Sequence, residues 1–268
     1  MLPGRQFLMA SRAVNFDGVH DSLIGIFDVD GQLVSKPVSE SGRTFEACAV
    51  SPDGTHAAVA SVKDGKSRVS IWNVQDLAGA APPRRVAEGH VAYALTFTAD
   101  GKEVVFCSNK KLVFVPVDGG AVRELAIDCD LESASVISAA DGLICVSDGG
   151  AAALLAPTGK TQLDLPKPFY KEKRELVVEH AMVAPDGTMI AVSGDLSKHD
   201  ARDFFAGVKL PDPAMASGFV AVVERTGKLL DWKPRAKNKT VRAMALAVGR
   251  AVVIGQGGSA ELAPWPAS

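Results

Sequence analysis

The residues best able to do chemistry in this chain are five histidines (His20, His56, His90, His180 and His199) and four cysteines (Cys48, Cys107, Cys129 and Cys145). His199-Asp200 has the form of a dyad that holds metal in phosphohydrolases, but such a site takes its other ligands from a helical frame that the surrounding sequence lacks. A chance dipeptide accounts for it. His180 sits in an apolar run, which suits a structural histidine, and His56 directly follows a tight turn, which places it near solvent. No two cysteines form a C-x-x-C pair, and their spacing fits no zinc module. Cys107 and Cys145 lie in apolar runs, where a thiol behaves as a small hydrophobe. Asp17, Asp21, Asp28 and Asp30 could offer carboxylate oxygens to calcium, yet EF-hand spacing and its distal glutamate are missing, so solvated loop acids are expected.

No G-x-S-x-G elbow, phosphate-binding G-x-x-x-x-G-K-[ST] or H-E-x-x-H motif occurs. Gly255 to Gly258 forms a glycine-rich turn between strands, not a strand-to-helix nucleotide loop. The expectation is a protein without catalytic residues, metal or cofactor.

A different chemistry is concentrated in three polar segments. PKPFYKEKRE carries Phe169, Tyr170, Lys171, Lys173 and Arg174; the stretch from Asp195 to Ser217 carries Lys198, Arg202, Phe204, Phe205 and Lys209; and WKPRAKNK carries Trp232, Arg235, Lys237 and Lys239. Basic side chains interleaved with aromatic rings suit two kinds of partner. Single-stranded nucleic acid needs charge for its backbone and stacking for its bases, while Arg and aromatic residues also anchor protein interfaces. Lysines are equally at home on a merely solvated face. Loops on a rigid scaffold are nevertheless the better suspects for binding than core positions.

The elements that must hold these segments are strands. One turn recurs as Ser51-Pro52-Asp53-Gly54, Thr98-Ala99-Asp100-Gly101, Ala139-Ala140-Asp141-Gly142 and Ala184-Pro185-Asp186-Gly187. Asp bonds back to the turn backbone and Gly takes the positive φ that other residues resist. Alternating runs flank these turns: FEACAV and HAAVAS, YALTFT and KEVVFCS, EHAMVA and MIAVSG. A second turn falls between them at Asp28 to Gly31, Val117 to Gly120, Pro157 to Gly159 and Arg225 to Gly227. An apolar strand precedes each and a shorter, more polar one follows. The two turns define a repeating four-stranded meander with a period of about 40 to 47 residues.

Within this pattern, FEACAVSPDGTHAAVASVKDGKSRVSIWNV resembles a WD-repeat or YVTN-type blade, with Ile71-Trp72-Asn73 where Trp-Asp closes the third strand and Gly89-His90 resembling the family's Gly-His. The other blades keep the meander without those signatures. The resemblance implies an all-β fold, a single β-propeller over residues 1–268 with about six four-stranded blades near 4–38, 43–86, 91–127, 132–165, 177–232 (insertion 195–217) and 240–265. The first blade lacks its innermost strand and the last its outer strand. Either an open seam takes a strand from a partner, or Leu2 to Arg5 closes the ring. The three polar segments then share one loop face over blades 4 to 6.

The leading expectation is a non-catalytic scaffold that binds protein partners within a larger complex. The alternatives are an RNA-binding propeller that positions nucleic acid for a partner enzyme, and a lactonase-like metal-dependent hydrolase. The bulk numbers agree with the first: 268 residues, net charge −2 and 47% hydrophobic residues make an ordinary globular chain with no global demand for nucleic acid. Arg5, Gln6 and Arg12 interrupt the N-terminal segment, so no secretory signal is expected. No apolar run suits a membrane span, and an intracellular protein with reduced thiols follows from the low cysteine content.

Overall fold

The structure, a computed structural model, describes residues 7–12, 22–28, 30, 32–39, 42–127, 136–140, 143–148, 151–156, 158, 160–164, 176–184, 187, 189–196, 216–224, 226, 229–236, 241–247, 250–255 and 260–264. It is all-β, built from antiparallel sheets, and divides into two compact units: Met1–Ala126 with Glu132–Ala134, and Ile127–Leu131 with Ser135–Ser268.

The first unit holds three sheets whose strands follow one another in chain order. They are β1 (Phe7–Arg12), β2 (Ser22–Phe27) and β3 (Val38–Ser39); then β4 (Thr44–Val50), β5 (His56–Lys63), β6 (Lys66–Asn73) and β7 (Arg85–Glu88), with helix α1 (Val74–Ala78) between the last two; then β8 (Thr96–Phe97), β9 (Glu103–Ser108), β10 (Lys111–Pro116) and β11 (Arg123–Ala126). The second unit repeats the scheme. Its sheets are β12 (Val136–Ala140) to β13 (Leu143–Asp148), β14 (Ala151–Leu155) and β15 (Thr161–Asp164); β16 (Leu176–Val183) to β17 (Met189–Leu196), β18 (Ala216–Glu224) and β19 (Leu229–Ala236); and β20 (Val241–Ala247), β21 (Arg250–Gly255) and β22 (Ala260–Pro264). In this unit β16 lies against β12, β13 and β14, and β20 lies against β16 and β17.

The period-2 pattern explains the stacking of the first unit. Successive strand residues point to opposite faces, and the sheet β4 to β7 is apolar on both. Ala57 opposes Trp72, and Ala58 opposes Ile71. On one face Ala57, Val59 and Trp72 pack with Ile24 of β2, Phe45 and Leu77 of α1. On the other, Ala58, Ala60, Val69 and Ile71 pack with Val104, Phe106, Val113 and Val115 of the next sheet. Three sheets are thus stacked face to face, each buried Val, Ile or Phe contributing about 1.5–3 kcal/mol.

The Asp-Gly turns are built alike. Ser51 N–H donates to His56 O at 2.9 Å and Gly54 N–H to Ser51 O at 2.9 Å. The Ser51 hydroxyl accepts from His56 N–H at 2.9 Å and donates to Asp53 Oδ1 at 2.6 Å. Thr98 repeats every one of these bonds with Glu103, Gly101 and Asp100. The glycines need the left-handed region, with φ of 73° at Gly54, 72° at Gly101 and 69° at Gly187. A Cβ on Gly101 would sit 3.5 Å from Pro52 Cδ, so the corresponding turns of neighbouring sheets abut.

Several expectations need correction. The run YALTFT yields only the two-residue β8, and Tyr93 is exposed ahead of it. The polar strand after Asp28 contracts to β3 and a bridge between Leu33 and Phe27, because Pro37 removes a ladder donor. Asp195 and Leu196 belong to β17, and Ala216 and Ser217 to β18, so the insertion in that sheet is shorter than 195–217. Helix α1 was not anticipated. Asn73 caps it, accepting from Gln75 N–H at 2.9 Å, with Asp76 in its first turn.

Candidate interaction face

Most of the residues expected to meet a partner lie outside the described residues: Phe169, Tyr170, Lys171, Lys173, Arg174, Lys198, Arg202, Phe204, Phe205, Lys209, Lys237 and Lys239. Trp232 and Arg235 are described in their backbone only, and the expectation of a loop there is wrong. Both belong to β19, Trp232 opposite Ala221 and Arg235 opposite Gly218. Pro234 hid the strand; it is tolerated because β19 is the edge of its sheet, where an N–H can point away from the ladder. His20 and His199 also lie outside the described residues, and His180 falls beside a register shift in β16.

In the first unit the sheets β4 to β7 and β8 to β11 show two opposite ends. At one end lie the Asp-Gly turns and the start of α1. Here the polar groups satisfy each other. Asp53 accepts from the Ser51 hydroxyl, the Thr55 N–H at 3.0 Å and the Thr55 hydroxyl, and these bonds hold its carboxyl at about 2, below its ordinary value of 3.8. With its proton given to Asp53, Thr55 Oγ1 accepts from Nδ1 of His56 at 2.8 Å. Asp100 is lowered in the same direction by the Thr98 hydroxyl and the Lys102 N–H. Arg85 donates to Gly120 O at 2.6 Å, tying β7 to the turn after β10.

At the other end lie the β5–β6 and β9–β10 hairpin tips and the connection from β7 to β8. Lys63 opposes Lys66 across the Asp64-Gly65 tip, and Ser108 opposes Lys111 across Asn109-Lys110. Arg43, entering β4, donates to Lys66 O at 3.4 Å, and Gly42 lies beside Lys63 Nζ. Lys111 pairs with Glu124 at 2.5 Å, which lowers the Glu124 carboxyl, and His90 Nε2 stands 3.7 Å from the same carboxylate. The His90 ring meets Phe106 edge-on at 5.9 Å, so it anchors the β7–β8 connection. Tyr93, 52% exposed, stands out from that connection. Lys66 and Lys110 are exposed as well.

Between these ends Arg123 lies 3.7 Å above the Phe114 ring and donates to both carboxylate oxygens of Glu103, a pairing that raises its pKa further. Three hydroxyls buried in the sheets, on Ser67, Ser70 and Ser108, have no hydrogen-bond partner. Cys48 and Cys107 form no disulfide, and Cys107 is buried as its apolar run implied. Among the described residues no three His, Cys, Asp or Glu side chains group so as to hold a metal, and no helix is long and apolar enough to cross a membrane.

The lysine-bearing end of the first unit was not singled out from the sequence. Its signal was present in the paired KDGK and NKK tips, each on a two-residue hairpin. No protein-family model matches the chain, and no curated protein matches it.

Proposed function

We propose that this chain is a non-catalytic, WD-repeat-like β-propeller that serves as a scaffold and binds protein partners through its lysine-bearing loop face. The observation that carries this reading is the contrast between the two ends of the first unit. One end is closed by its own hydrogen bonds around Asp53 and Asp100, whereas the other leaves Lys66 and Lys110 turned to solvent on two-residue hairpins and Tyr93 on the connection between β7 and β8. The meander order of all the sheets supports the propeller, as does the burial of both faces of β4 to β7.

The test is affinity purification at low and high salt, with identification of co-purifying chains and size measurement of the complex. A defined protein partner retained at both salts supports the scaffold. A chain that stays solitary counts against it. Recovery of RNA instead, lost steeply as salt rises through counterion release, would favour the nucleic-acid reading.

A further inference from the structure

The two hairpin tips at the lysine-bearing end have the same backbone but different residues. In β5–β6 the pair is Asp64 and Gly65, at φ 50° and 71°; in β9–β10 it is Asn109 and Lys110, at φ 52° and 59°. Both φ values positive is the hairpin turn that matches strand twist, for which Asn-Gly and Asp-Gly are the favoured pairs. Asn and Asp tolerate the left-handed region, and Gly occupies it freely. Lysine does not. Its Cβ crowds the following carbonyl, a disadvantage of about tenfold in the folding equilibrium. Nothing among the described residues offsets it, for the Lys110 side chain is exposed and no hydrogen bond or ion pair engages its ammonium. The neighbouring Lys111 differs: its charge is taken up by Glu124.

Backbone strain held at an exposed tip points to a role outside the fold. Lys110 shares its sheet end with exposed Lys66 on the adjacent hairpin and with Tyr93, more than half exposed on the connection that crosses between the two sheets. We infer that Lys110 is kept in this conformation to contact an acidic protein segment that lies across both hairpin tips, with Tyr93 packing against its apolar side chains. The inference rests on the scaffold reading and names the chemistry of the partner. A peptide fits better than a nucleic acid because Asp64 and Glu88 are interspersed among the lysines at the same end: carboxylates separated by apolar residues can meet Lys66 and Lys110 alone, whereas a charge on every nucleotide would also meet the two acids. The described part of the end also presents a single exposed ring, where stacking of successive bases uses several.

Fluorescence anisotropy with the full chain tests this, using a labelled peptide that alternates glutamate with leucine and, in parallel, a labelled oligouridylate of equal length. Lys110→Gly is expected to raise the melting temperature, because the strain is relieved, and to weaken peptide binding about fivefold, the loss of one interfacial ion pair. Tyr93→Ala is expected to weaken it comparably without moving the melting temperature. An unchanged peptide affinity in Lys110→Gly overturns the inference, as does a wild-type chain that ignores the peptide or prefers the oligouridylate. The scaffold reading fails separately, when the wild-type chain retains no protein partner in affinity purification.

Discussion

Replacing Trp72 by alanine should destabilise the fold more than any other single truncation in the stack of the first unit. The indole is 0% exposed and packs with Ile24, Phe45, Ala57, Val59 and Leu77, so it joins two sheets and α1 at once. A buried Trp removes about 150–250 Å² from water, worth about 4–6 kcal/mol at roughly 25 cal/mol per Å². Alanine keeps a small part of that area. Its Nε1–H also donates to Ala81 O at 3.0 Å, a bond worth about 1 kcal/mol net. The expected loss is therefore about 3–5 kcal/mol, a large share of a typical domain's stability. Trp72→Phe keeps most of the packing but abandons the Ala81 carbonyl, so about 1–2 kcal/mol is expected. Urea unfolding followed by far-ultraviolet circular dichroism measures both, since the strand signal survives removal of the fluorophore. A loss below about 1 kcal/mol for Trp72→Ala would refute the packing argument, because that ring could not then be joining the sheets.

Three further outcomes follow from the turns and the buried hydroxyls. Asp53, held at about 2 against 3.8, has a depressed folded-state pKa; its contribution is fully present above 3.8 and lost as pH falls through about 2, so Asp53→Asn should flatten that acid limb of the stability profile. An acid limb of unchanged slope in the variant would contradict the hydrogen-bonded turn. Ser70→Ala removes a buried, unpartnered hydroxyl and should raise stability by about 1 kcal/mol in the same urea assay, a decrease being the contrary result. Gly101→Ala places a Cβ at φ 72° with only ordinary contact to Pro52, so the loss of about 1–2 kcal/mol expected from calorimetry is backbone strain alone, and a neutral effect would argue against the left-handed turn.

The strands were legible because their signals are local. An Asp-Gly pair between alternating runs specifies its own turn through bonds no more than five residues apart, as Ser51 with His56 and Thr98 with Glu103 demonstrate. Where the signal was local but ambiguous, the reading slipped. Pro234 looked like the end of a strand, yet an edge position accommodates it. Asn73 looked like the close of a third strand and is also a helix cap. The candidate binding residues were sought where basic and aromatic residues are densest along the chain. Density in sequence does not reveal which charges are already paired.

Turn chemistry and residue alternation were thus sufficient, taken alone, to establish an all-β chain of consecutive meanders, since each hairpin is decided by residues that are near neighbours. Tertiary structure decided which face of each strand meets which sheet, as with Ala57 toward Ile24 and Ala58 toward the β8–β11 sheet. It also separated two adjacent lysines, one neutralised by a glutamate thirteen residues away and one left in a strained, solvent-facing turn. Both distinctions depend on partners brought together by folding, and Coulombic and packing energies act across space, not along the chain.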